Sequence, residues 1–118
     1  MNYLQIILIT LVSMIHIYIV YLETALWTTQ KGMKIFGIKD KQFAEQTKVM
    51  AANQGLYNGF LAAGLIWSLF STKIDVALFF LICVSIAGAF GAYSTKKIII
   101  LYIQTLPATI GILSIILF

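Results

Sequence analysis

The chain has 118 residues, 61% hydrophobic and 10% charged, with a formal net charge of +4 and a mean hydropathy of +0.97. Ordinary soluble domains carry roughly 25% charged residues, and a chain this short would leave most of its apolar side chains facing water. The composition therefore excludes a soluble globular enzyme and points to an integral membrane protein with one transmembrane domain, residues 1–118.

A hydrocarbon core about 30 Å thick takes roughly 20 apolar residues of helix, and four segments meet that length. The first is residues 3–27. No lysine or arginine precedes its apolar run, and it lacks a small-x-small cleavage site, so it reads as a span and not as a signal peptide. His16, Glu23 and Trp27 are spaced by seven and four residues and share one helical stripe. His16 lies near mid-span and Glu23 about one turn from the inner end. A carboxyl at that depth can act as a general base, a cation ligand or an anchor for a neighbouring helix. His16 reads first as a packed imidazole.

Residues 28–48 form the one sizeable polar stretch. Met33, Ile35, Phe36 and Ile38 interleave with its lysines, as in a segment lying along lipid headgroups. From Asp40 onward the pattern predicts the start of the next helix, with Asp40 as its N-cap. The second span, residues 49–70, opens with AANQGLYNGFLAAG. Asn53, Gln54, Tyr57 and Asn58 occupy one side of it, and Gly55 and Gly59 form a GxxxG pair on an adjoining small-residue face. The amides and phenol either line a polar pocket or fasten helices together.

The third span, residues 75–94, carries Ser85, Gly88, Ala89, Gly91 and Ala92, a ladder suited to close helix packing. Cys83 is the single cysteine, which excludes an intramolecular disulfide and a multi-cysteine metal site. The fourth span, residues 97–118, contains Gln104 and Pro107; the proline frees the carbonyl of Ile103 and predicts a kink beside Gln104. Spans of this kind in lipid must be helical, because only helices and closed barrels satisfy their backbone there, and the alternation of a barrel is absent. The fold expected is all-α, a bundle of four transmembrane helices.

All eight basic residues are lysines. Five lie between spans one and two and two between spans three and four, against Lys73 alone on the other side. Retention of positive loops in the cytoplasm then predicts a multi-pass plasma-membrane protein with both termini outside. Lysines bordering apolar runs are topology signals, not a nucleic-acid surface. In this orientation the costly polar residues, Glu23, Asn53, Gln54, Tyr57, Asn58 and Gln104 among them, gather in the cytoplasmic half. That asymmetry suggests a cavity open to the cytoplasm. No metal-ligand pair, phosphate loop or Ser/His/Asp set is present.

YLETALW at 21–27, KIFGI after it, AANQGLYNGFLAAGLIW at 51–67, AGAFGAYSTKK at 87–97 and QTLPA at 104–108 together resemble the domain-of-unknown-function 1304 family. Its members are small four-helix membrane proteins, mostly bacterial, and the resemblance implies that architecture but no activity. Asn53 with Tyr57, Phe60, Leu61 and Ala62 is similar, more distantly, to the second-helix motif of the MAPEG superfamily. That likeness implies a homo-oligomer, a trimer in that superfamily, with a glutathione site between subunits near the cytoplasmic face. The sequence departs from it in two respects. Leu56 stands where the superfamily has an acidic residue, and the chain has no arginine to grip glutathione, so no cofactor is assigned.

Three functions fit these residues. The first is a cytoplasm-facing pocket of His16, Glu23, Asn53, Gln54, Tyr57, Asn58 and Gln104 for a small amphipathic or lipid-like molecule. If chemistry follows binding, Glu23 is the acid–base group and Tyr57 the donor to an oxyanion. The second is a small proton-coupled transporter using Glu23, and the third a purely structural membrane subunit.

Overall fold

A computed structural model describes residues 1–118 as helices and turns without a strand. The helices are α1 (Tyr3–Thr24), α2 (Gln30–Phe36), α3 (Lys41–Ser71), α4 (Ile74–Thr95) and α5 (Ile98–Leu117). Three of them, α1, α4 and α5, are long and apolar enough to cross a membrane. The 31 residues of α3 are more than long enough, but Asn53, Gln54, Tyr57 and Asn58 dilute its apolar character. The expected count of four spans therefore becomes three on apolarity alone. The chain divides into two compact units, Met1–Ile15 with Leu61–Phe118, and His16–Phe60.

In the first unit Ile9, Val12, Leu65, Ala77, Leu81, Val84 and Ala108 form the fully enclosed core. Small residues set its spacing. A Cβ on Gly88 would fall 2.4 Å from Thr105 Oγ1, and one on Gly64 2.3 Å from the ring of Phe80. The small-residue ladder of the third span thus packs at Gly88, while Ala89 stays exposed. The start of α1 is a capping box: Gln5 N donates to Asn2 Oδ1 at 2.9 Å, and Asn2 N donates to Gln5 Oε1 at 3.0 Å. Gln5 Nε2 also donates to the Ser114 carbonyl at 3.2 Å, tying α1 to α5.

The irregularity expected at Pro107 takes the form of a π turn, Leu101–Thr105, within α5. Leu106 N donates to Leu101 O, one residue further back than in an α-helix. Pro107, which has no N–H to give, stands in the first turn of the α-helix that resumes at Leu106. Thr105 Oγ1 donates across to the Ser85 carbonyl at 2.9 Å.

In the second unit α1 ends at Thr24, three residues short of the expected limit, so Trp27 lies in the turn beyond the helical stripe. Its ring packs on Phe36 at 4.8 Å, and its Nε1 donates to Thr47 Oγ1 at 3.0 Å. The connector contains a helix of its own. Thr29 caps α2 by accepting from Gly32 N at 3.2 Å and donates its hydroxyl to the Leu26 carbonyl at 2.7 Å. Gly32 cannot be replaced without moving this turn, because its Cβ would stand 1.8 Å from Leu26 O.

Gly37, at φ 69° and ψ 26°, ends α2, with Gly37 N donating to Lys34 O at 3.3 Å and Ile38 N to Met33 O at 2.8 Å. These two bonds are a Schellman motif. Asp40 then caps α3 as expected, accepting from Gln42 N at 3.0 Å. Thr29→Ala is expected to destabilise α2 by about 1 kcal/mol, read as faster amide hydrogen exchange at Gly32 and Met33 with α4 unchanged.

Candidate functional site

Glu23 stands on the last turn of α1 and is 6% exposed. A carboxyl removed from solvent needs a donor, and α3 supplies it: Asn58 Nδ2 donates to Glu23 Oε1 at 2.6 Å. The approach of the two backbones depends on Gly55, where a Cβ would lie 2.8 Å from Thr24 Cγ2 and 3.3 Å from Glu23 Cβ. Gly59, the other half of the GxxxG pair, meets only Val20 Cγ2, at 3.7 Å. Close contact is therefore a property of the Gly55 level, where the carboxyl–amide bond also lies.

The remaining expected site residues divide into three groups. His16 is fully buried on α1, two turns before Glu23. Asn53, Gln54 and Tyr57 are exposed on α3, and the Tyr57 ring lies 6.2 Å from that of Phe60. Gln104 belongs to the other compact unit, where it is half-buried in the π turn with its Cβ against Gly88. The structure thus joins Glu23 to Asn58 directly, with Gln54 one turn before Asn58.

Chemically the pair offers one anchored carboxyl oxygen and, on the same helix, two amides and a phenol open to an incoming group. Asn58 holds Glu23 in place, as a positioned acid–base or hydrogen-bonding group requires. The same bond would also serve as a simple clasp between helices.

A concave feature lies away from Glu23, in the connector expected to run at headgroup level. Gln30, Met33, Lys34, Ile38, Lys39 and Lys41 line an open cleft of about 560 Å³ beside α2. Its signal in the sequence is Gly37: a glycine at the end of a short lysine-bearing helix turns the following residues back beside it.

The family described as "Protein of unknown function (DUF1304)" matches residues 10–116. A protein of Lactococcus lactis subsp. lactis (strain IL1403), named "Uncharacterized protein YpaA", is 32% identical over 104 residues, covering 86% of this chain and 87% of its own. No solved structure matches the chain.

Proposed function

We propose the following role for this chain, which belongs to the DUF1304 family: it is a multi-pass membrane protein that receives the polar group of a small amphipathic or lipid-like molecule at Glu23. The observation that carries the reading is the 2.6 Å bond from Asn58 to a Glu23 that is almost withdrawn from solvent. A buried carboxyl held by one amide, with Asn53, Gln54 and Tyr57 exposed on the adjacent helix, supports binding of a polar group.

In this reading α3 is the remaining span. Its polar first half would reach the cytoplasmic boundary, and both termini would face outward by the lysine distribution. A homo-oligomeric, MAPEG-like bundle would cover the exposed face of α3. The ligand is then amphipathic because a polar group at Glu23 would have apolar neighbours such as Leu56 and Phe60, both exposed.

A second reading is favoured by the same bond: Glu23 and Asn58 clasp α1 to α3, and the protein is a structural subunit. The two are separated by native mass spectrometry of the full chain taken from its own membranes, compared with Glu23→Gln. Binding predicts a co-purified small molecule on the wild type, reduced about tenfold in the variant, since a hydrogen bond to a charged group contributes roughly 1.5–3 kcal/mol. Equal occupancy in the two proteins would leave only the clasp.

A further inference from the structure

The cleft beside α2 is built by the turn that ends the helix. Left-handed Gly37 sends the chain back so that Ile38 N donates to Met33 O at 2.8 Å, and both residues, half-buried, line the cleft. Lys34 comes from the helix and Lys39 from the segment after the turn, and both line the cleft together with Met33 and Ile38.

The other lysines of this stretch are occupied. Lys31 stands 5.9 Å from the centre of the Tyr18 ring. Lys41 donates to the Thr28 carbonyl and lies 3.8 Å from Glu45, and Lys48 is 3.2 Å from the same carboxylate. Those two ion pairs leave Lys34 and Lys39 exposed without an acidic partner. Asp40, the nearest acid in sequence, has an oxygen turned to Gln42 N as the α3 cap. Across residues 28–48 five lysines face Asp40 and Glu45, so the segment is positive by three charges.

We propose that this cleft docks the phosphate headgroup of an anionic membrane lipid, with the phosphate between Lys34 and Lys39 and the lipid's apolar part over Met33 and Ile38. The volume is that of a small-molecule site. Three observations favour a lipid over a soluble anion. The lining includes apolar Met33 and Ile38 beside the lysines, and lysines alone would suffice for a free phosphate. The cleft is open on one side, as a headgroup still joined to its chains requires. Gln30 also follows Thr24, the last residue of an apolar helix long enough to cross the bilayer, by six positions, which puts α2 at headgroup level. Clustered lysines next to a membrane helix attract acidic lipids at about 1 kcal/mol per lysine. The proposal shares the membrane reading of the chain but does not use Glu23, so it stands or falls apart from the role proposed above.

The test uses the full chain in a non-ionic detergent, with native mass spectrometry of added phosphatidylglycerol, phosphatidylcholine and inorganic phosphate. Phosphatidylglycerol is expected to be retained over phosphatidylcholine, and the double variant Lys34→Gln/Lys39→Gln to lose roughly thirtyfold in phosphatidylglycerol retention. Lys34→Arg/Lys39→Arg should keep it, and Lys96→Gln/Lys97→Gln, in the other basic turn, should leave it unchanged. All four lysines are exposed, so far-UV circular dichroism is expected to be the same throughout. Three results would overturn the proposal: undiminished retention by the Lys34/Lys39 glutamine variant, an equal loss in the Lys96/Lys97 variant, or displacement of the lipid by millimolar inorganic phosphate.

Discussion

Gly88→Val is expected to destabilise the protein by about 3 kcal/mol, the upper part of the range for forcing atoms into a filled interior. The cost is large because of what the new side chain would meet. Its Cβ alone would fall 2.4 Å from Thr105 Oγ1, 2.8 Å from Gln104 Cβ and 2.8 Å from Thr105 N. The last is backbone of the π turn and cannot swing aside as the end of a flexible side chain does. Displacing Thr105 also breaks its 2.9 Å bond to the Ser85 carbonyl and disturbs the 3.2 Å contact between the Ser85 and Thr109 hydroxyls one turn on. Ala89→Val, one residue away and exposed, is the control and should stay within about 0.5 kcal/mol. Thermal unfolding in detergent, followed by circular dichroism, compares the two; similar midpoints would mean that α4 and α5 are not in contact at this level.

Asn58→Ala is the second large effect, expected at about 2–3 kcal/mol. The alanine removes the donor 2.6 Å from Glu23 Oε1, and a buried acceptor left without a partner costs its full desolvation, which exceeds the net worth of the bond it lost. Gln54→Ala removes an amide of the same helix from an exposed position and should change little. The ratio between these variants is the informative quantity. A cost for Asn58→Ala no greater than for Gln54→Ala would remove the carboxyl–amide bond as a feature that holds Glu23. The measurement also bears on function, because a Glu23 freed from Asn58 should lose ligand occupancy along with stability.

Much of this architecture is legible in the amino acids, and the gaps have physical causes. Long apolar runs bounded by lysines mark α1, α4 and α5, because length and hydropathy are summed over a whole segment and tolerate local error. Asp40 marks the start of α3 by a single side-chain bond to the backbone, which is a local rule. Asn2 and Gln5 follow an equally local rule, N-x-x-Q as a capping box, and could have been read the same way.

Other features depend on contacts that no spacing rule contains. Gly55 and Gly59 are equivalent in the GxxxG pattern, yet the first presses on Thr24 and Glu23 while the second stands off from Val20. Only the level at which the helices approach decides between them. The residues expected to converge illustrate the same limit. Glu23 and Asn58 meet because both stand at that level, whereas Gln104 is occupied against Gly88 in the other compact unit. In the connector, Thr29 and Gly37 were available as helix start and stop signals, but seven residues of mixed lysine and apolar character carry too weak a periodicity to reveal α2.

The π turn in α5 has a further consequence, in the bookkeeping of insertions and deletions. An α-helix advances about 100° per residue, and a π turn advances less, so it takes up one residue more than an α turn without turning the two parts of the span against each other. Loss of one residue from 101–105 would let the helix close into a regular α ladder. It would leave the two halves nearly in phase, because the π turn spreads its extra residue over a single turn, and Thr105 would still face Ser85. This stretch can therefore lose one residue more readily than a regular turn of the same helix, and a relative one residue shorter here would keep its partner for Gly88.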